Sequence, residues 1–150
     1  MRVFANVDEF AAAKGEHLGY SGWHTVSQEQ VNTFADATGD HQWIHVDPER
    51  AASGPFAGTI AHGYLTLSLI PLLAQQIYRV DNLTMGINYG LNKVRFPATV
   101  RVGSRIRSGV ELIDVQEAKL GRQFFARTTV EIEGNDKPAC VAETIVLLVP

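Results

Sequence analysis

One cysteine, Cys140, stands in 150 residues, so no internal disulfide can form. A chain of this length needs none, because it can bury roughly 70% of its unfolded surface in one core, and a lone thiol points to a reducing compartment. A basic excess is missing as well. Thirteen Lys and Arg face sixteen Asp and Glu, for a net charge of −3, which leaves no electrostatic footprint for nucleic acid. No apolar run reaches the roughly 20 residues that cross a bilayer. The most apolar stretch, Tyr64 to Ala74, is interrupted by Thr66, Ser68 and Pro71 and reads as a buried helix. The N-terminus carries Asp8 and Glu9 beside Phe10 where a signal peptide has a basic segment and an apolar core, so a cytoplasmic location is expected. Repeats and low-complexity segments are absent, and with 45% apolar and 19% charged residues the composition fits one globular domain over residues 1–150.

What is present changes character near residue 83, from helical to strand-like. Asp8 is expected to cap a short helix ending at Gly15. Ser27 and Gln30 have the spacing of a capping box ahead of Val31, Phe34 and Ala35, a helix that should stop near Gly39. Asp47-Pro48 has the form of an N-cap followed by proline at the first helical position, which leaves residues 40 to 46 as a loop between helices. From His62 to about Tyr78, Leu65, Leu69, Leu72, Leu73 and Ile77 recur at helical spacing, and Leu67 and Ile70 widen the apolar surface until it nearly encircles the segment. In the second half, Ile106, Ser108, Val110 and Leu112 alternate with Arg105, Arg107, Gly109 and Glu111. Thr128, Val130 and Ile132 do the same against Arg127, Thr129, Glu131 and Glu133. Gly121 and Gly134-Asn135-Asp136 punctuate these runs, which predicts an antiparallel meander. The last strand, Cys140 to Val149, is apolar on both faces towards its end and should be central or covered on both sides. The sum is an α+β architecture, a curved antiparallel sheet wrapped around a long central helix.

The richest chemistry lies in Gly39-Asp40-His41-Gln42-Trp43-Ile44-His45, with His62-Gly63 following His45 by seventeen residues. A carboxylate and an imidazole, Asp40 and His45, can hold one water and move protons around it. Gly63, in the first turn of the long helix, offers a backbone N–H without an internal partner, suited to a carbonyl oxygen gathering negative charge. The plainer alternative is that Asp40 caps a loop and His45 is a core histidine satisfied by a backbone carbonyl. A metal set of His41 and His45 with Asp40, Asp47 and His62 would need a helix that Asp47-Pro48 contradicts, so no metal is expected. Gly-x-Ser-x-Gly is absent, and Cys140 in an apolar strand reads as inert packing.

The stretch from Phe34 to Pro48 resembles the signature of the MaoC-like dehydratases, the (R)-specific enoyl-CoA hydratases of hot-dog fold: an aromatic residue, Thr or Ser, then Gly-Asp-x-Asn-Pro-x-His. Ile60-Ala61-His62-Gly63, Lys93-Val94-Arg95-Phe96-Pro97, and Val100 with Gly103-Ser104 agree, extending the similarity over nearly the whole chain. Gln42 and Trp43 depart from it, standing where the family has Asn and Pro. The resemblance implies a hot-dog fold, a homodimer joined edge to edge with each site near the interface, and acyl thioesters of CoA or acyl carrier protein as substrates. It implies Asp40 and His45 as the catalytic dyad and Gly63 as the oxyanion donor, with no cofactor. Gln42, His62, Lys93 and Arg95 are the further substrate-contacting candidates. Lys93, Arg95, Arg101 and Arg105 either meet CoA phosphates or form a solvated strand face. A hot-dog thioesterase and a non-catalytic acyl-thioester-binding module are the alternatives.

Overall fold

The computed structural model describes all 150 residues. The alternation in the second half produces long strands whose inner faces close the core. β1 (Arg2–Phe4), α1 (Val7–Ala12), β2 (His17–Tyr20) and β3 (His24–Thr25) precede the helical segment α2 (Gln28–Thr38), α3 (Trp43–Val46), α4 (Pro48–Ala52), α5 (Gly63–Ser68) and α6 (Ile70–Ala74). Then come β4 (Tyr78–Val80), β5 (Met85–Arg95), β6 (Arg105–Glu117), β7 (Arg122–Ile132) and β8 (Cys140–Val149). The main sheet runs β2-β6-β7-β8-β5, all pairs antiparallel, with β3 on the other end of β6. β8 is therefore interior, as its two apolar faces predict. Register shifts at Leu112/Asp114 and at Asn88/Gly90 and Leu91/Lys93 bend the strands around the helices.

Ile106, Ser108, Val110 and Leu112 all point inward and are buried. Their alternates form an ion-paired outer face, Arg107 to Glu131 at 2.7 Å, Arg105 to Glu133 at 3.3 Å and Arg127 to Glu111 at 3.1 Å. Such exposed pairs contribute at most about 1 kcal/mol each, so burial rather than charge holds the sheet. Leu65, Leu69, Ile70 and Leu73 pack on Ile106, Val130, Cys140 and Ala142 in one cluster. A second cluster, with Phe10 between Phe124 at 4.6 Å and Tyr78 at 5.0 Å, closes the other end. At the β6–β7 turn, Gly121 lies against the Leu148 backbone, where a Cβ would overlap the carbonyl.

Several local expectations change. The N-cap of α1 is Asn6, whose side chain accepts from the Glu9 N–H at 2.9 Å, while Asp8 in the first turn pairs with Arg122 at 2.6 Å. Ser27 caps α2 through the Gln30 N–H at 3.1 Å, but the Gln30 side chain goes to His24 rather than completing a box. Residues 40 to 46 contain a helical turn, α3, where a loop is expected. The long helix is two, α5 and α6, interrupted at Leu69, because Pro71 has no N–H to return to the Leu67 carbonyl. It stops at Ala74, since Tyr78 to Val80 turn into a parallel pair with β1 that helical spacing does not reveal. Nor is its apolar surface wholly wrapped: Tyr64 is 71% and Leu72 45% exposed.

Candidate active site

α2 ends where Gly39 takes a left-handed φ of 83° and its N–H returns to the Ala35 carbonyl at 2.8 Å. The reversal delivers Asp40, exposed, to the segment that leads into α3. His45, on α3, is buried; its Nδ1–H donates to the Ile60 carbonyl at 2.7 Å. A carbonyl only accepts, so the Nδ1 proton is fixed and Nε2 keeps its lone pair. Ile60 is held in turn: its N–H donates to the Ile44 carbonyl at 3.0 Å, and its neighbours Thr59 and Ala61 bond Val102 and Val100. Gln28 joins the parts, donating to the His45 carbonyl at 2.7 Å and accepting the Thr59 hydroxyl at 2.6 Å.

His62, immediately before α5, is also buried and stacks on His45 with ring centroids 3.8 Å apart and planes at 24°. Its Nε2–H donates to the Asp40 main-chain carbonyl at 2.9 Å. Polar atoms of Asp40, His45 and His62 thus lie within 4.8 Å of one another. Burial holds the His45 pKa below the ordinary imidazole value, and the neighbouring His62 pushes the same way; the Ile60 bond and the Asp40 charge oppose this without prevailing. His45 is consequently a neutral base at pH 7.

The donor set tests the metal reading. One nitrogen of each ring is spent on a backbone carbonyl, and rings stacked nearly parallel project their remaining lone pairs side by side instead of onto a point about 2 Å from both. His41, the other member of the expected set, turns outward to Asp36 at 3.0 Å, which raises its pKa. The arrangement suits a proton-transfer pair better than a cation.

Of the remaining candidates, Gly63 opens α5 beneath the Phe96 ring, and a Cβ there would meet three ring atoms at 3.3 Å. Gln42 is exposed, and its N–H makes a long 3.4 Å contact to Asp40 Oδ1. Trp43 lies under the Arg50 guanidinium at 4.3 Å and against Gly54, tying α3 to α4. Lys93 and Arg95 are exposed on β5 outside this cluster. Gln28 and Thr59 are the parts that sequence reasoning does not name, and Ile60 and Phe96 enter it only as motif positions without a role. Between the α5–α6 pair and the sheet lies a cleft of about 750 Å3 lined by Leu67, Ile70, Ala74, Ile145 and Leu148. Gly86 and Gly90 on β5 face it without side chains and keep it open.

Residues 9–135 match the family described as MaoC like domain. The chain belongs to the MaoC-like dehydratase family. It is 60% identical over 147 residues, 97% of each chain, to 3-hydroxyacyl-thioester dehydratase Z of Mycobacterium tuberculosis (strain ATCC 25618 / H37Rv). It is 47% identical over 139 residues to nodulation protein N of Rhizobium leguminosarum bv. viciae, covering 89% of this chain and 85% of that one. Among solved structures, the (R)-hydratase from A. caviae involved in PHA biosynthesis superposes with a TM-score of 0.73 at 26% identity over 91% of this chain and 96% of that one. The MaoC-like chain has the hot-dog fold and is a hydro-lyase, an enzyme of the dehydratase/hydratase class. No helix in it is long and apolar enough to cross a membrane.

Proposed function

We propose that the protein is an (R)-specific enoyl-CoA hydratase of fatty-acid metabolism, adding water to a trans-2-enoyl-CoA to give the (3R)-3-hydroxyacyl-CoA and running the reverse dehydration. The observation that carries this is His45, buried, neutral, its Nδ1–H locked on a carbonyl, with Asp40 beside it. His45 Nε2 takes a proton from a water held between it and Asp40, and the hydroxide attacks C3. The proton then reaches C2 through the same pair, so one water is added across the double bond. The Gly63 N–H, which has no partner four residues back in its helix, stabilises the enolate-like thioester oxygen. The thioester itself acidifies the C2 proton, so the steps need only protons that these side chains move.

Three further observations support an acyl thioester as substrate, and the second of them favours CoA. The cleft beside α5 and α6 is mostly apolar and of a size for an acyl chain, and it lies apart from the Asp40–His45–His62 cluster, sharing no lining residue with it. Arg105, Arg107, Arg122 and Arg127 are all paired with carboxylates, whereas Lys93, Arg95, Arg101 and Arg50 are free of them. Arg50 and Arg101 stand near the site: Arg50 stacks on Trp43 of α3, and Arg101 bridges to Ile60 and donates to the Ala57 carbonyl. Together the four offer charge for the phosphates of CoA. A third, coarser support is the 60% identical relative, a 3-hydroxyacyl-thioester dehydratase, which favours an acyl thioester without choosing its carrier.

The deciding experiment follows enoyl-thioester absorbance over a series of chain lengths, on CoA and on acyl carrier protein. Loss of the enoyl band with formation of the (3R)-hydroxyacyl product is expected, fastest on CoA. Release of free thiol with the double bond intact would replace the hydratase by a thioesterase, and binding without turnover would replace it by a carrier module.

A further inference from the structure

His62 stands where three parts of the site meet, and the proposed chemistry gives it no step. It is 4% exposed, one ring nitrogen donates to the Asp40 carbonyl, one ring face lies on His45, and its ring is tilted against Phe34 at 4.9 Å. It occupies the N-cap of α5 but makes no capping bond, so its side chain is not there to satisfy the helix. Its Nδ1 is buried with no partner. A ring kept only for packing would be cheaper as phenylalanine, since an unsatisfied buried nitrogen is a cost that packing does not repay. Asp40 explains why the cost is carried. Apart from the 3.4 Å contact from the Gln42 N–H, the bond from His62 is the one hydrogen bond on that residue.

We infer that His62 is the positioning residue of the acid–base pair: its Nε2–H tethers the main chain of Asp40 while its ring face fixes the plane of His45, so that carboxylate and imidazole keep one separation. The inference rests on the Asp40–His45 reading above. His62 makes that separation a property of a single rigid ring, one residue before the Gly63 N–H. The groups that bias His45 electrically are then few: Asp40 from the loop after α2 and His62 from the start of α5. α2 presents the neutral Gln28, the 59–61 segment presents carbonyls, and Arg50 of α4 is turned onto Trp43.

Two substitutions divide the role. His62→Phe keeps the stack and removes the N–H; His62→Gln keeps an N–H donor and removes the stack. Each is expected to lower kcat about 10- to 100-fold, the cost of a slightly misplaced reacting group, with KM changed less than about twofold. In both, the acid limb of the kcat/KM profile should move to higher pH, because the neighbour that opposes protonation of His45 is gone. Folded variants with unchanged kcat and an unmoved limb would overturn the inference. His45→Gln, assayed alongside, separates the two levels: near-normal turnover there removes the dyad itself, whereas its loss together with normal His62 variants removes only the positioning role. Imidazole nitrogen NMR on the wild-type enzyme needs no variant to fold. A proton on Nε2 of His62 and on Nδ1 of His45 is expected, and a His62 ring protonated on Nδ1 with Nε2 bare would break the tether and end the proposal.

Discussion

Asp40 and His45 differ in exposure although they are proposed to act on one water, and the difference sets how each is tested. Asp40→Asn and His45→Gln nearly keep side-chain volume, and each should lower the hydration rate by roughly 100-fold to 10,000-fold. The double variant should lose far less than the product, since one step cannot be removed twice. Unchanged rates would take the pair out of catalysis, and rates that fall only with thermal stability would leave both residues as structure. The pH dependence has a definite sign. His45 must be unprotonated to act, and burial depresses its pKa, so the acid limb of the rate should fall below the ordinary imidazole value of 6.5. The unfolded chain takes up that proton first as pH drops, so this residue's contribution to stability is complete above about pH 6.5 and is lost as pH falls through the depressed value. Denaturant titrations of wild type and His45→Gln on both sides of that pH measure it. The motif spacing singled out Asp40, His45 and Gly63, and the fold brings Asp40 and His45 together with His62. That a backbone carbonyl satisfies a buried His45 was among the sequence expectations; that Ile60 supplies it, and that the Gln28 amide reaches 17 residues to the His45 carbonyl, leave no periodic trace.

Among the elements, helix starts and stops were mostly visible because capping is local chemistry. Ser27, Gly39 and Asp47-Pro48 all act as their residue types predict. The division of α5 from α6 is local as well, Pro71 being in plain view, but the apolar period running through it conceals the break. The parallel pair of β1 with β4 joins segments more than seventy residues apart, and nothing in a three-residue strand announces its partner. Gly39→Ala tests the turn before Asp40: the new Cβ meets open space, so its cost is backbone strain alone, about 1 kcal/mol. For a domain of this size the melting temperature should drop by about 2–4 °C, read by scanning calorimetry. Gly63→Ala tests the start of α5, where the Cβ presses on Phe96. Loss of the donor geometry should cost about 100-fold in rate. Phe96→Leu in that background should recover part of it, because the displaced ring is what tilts the peptide. No recovery in the pair would place the thioester oxygen elsewhere.

At the scale of the molecule, β5 is the edge that calls for a partner. Its outer row carries Ile87 and Tyr89, 39% and 61% exposed, beside backbone groups that pair on one side only. A homodimer joined along β5 is expected, and light scattering at micromolar concentration should give twice the chain mass. Ile87→Asp with Tyr89→Asp should give monomers with reduced turnover; an unchanged dimer would move the interface off this edge. The sheet order also has a consequence for how the protein is made. β5 is hydrogen-bonded to β8 alone, so it leaves the ribosome before the strand that must receive it exists. At about 5–20 residues per second, several seconds of synthesis separate the two. During that interval the apolar row of β5 is unpaired on both edges. The half that carries Asp40, His45 and His62, translated first, cannot be enclosed until residues 140–149 arrive, and a nascent chain stalled before them would be a client for chaperones rather than a partly working enzyme.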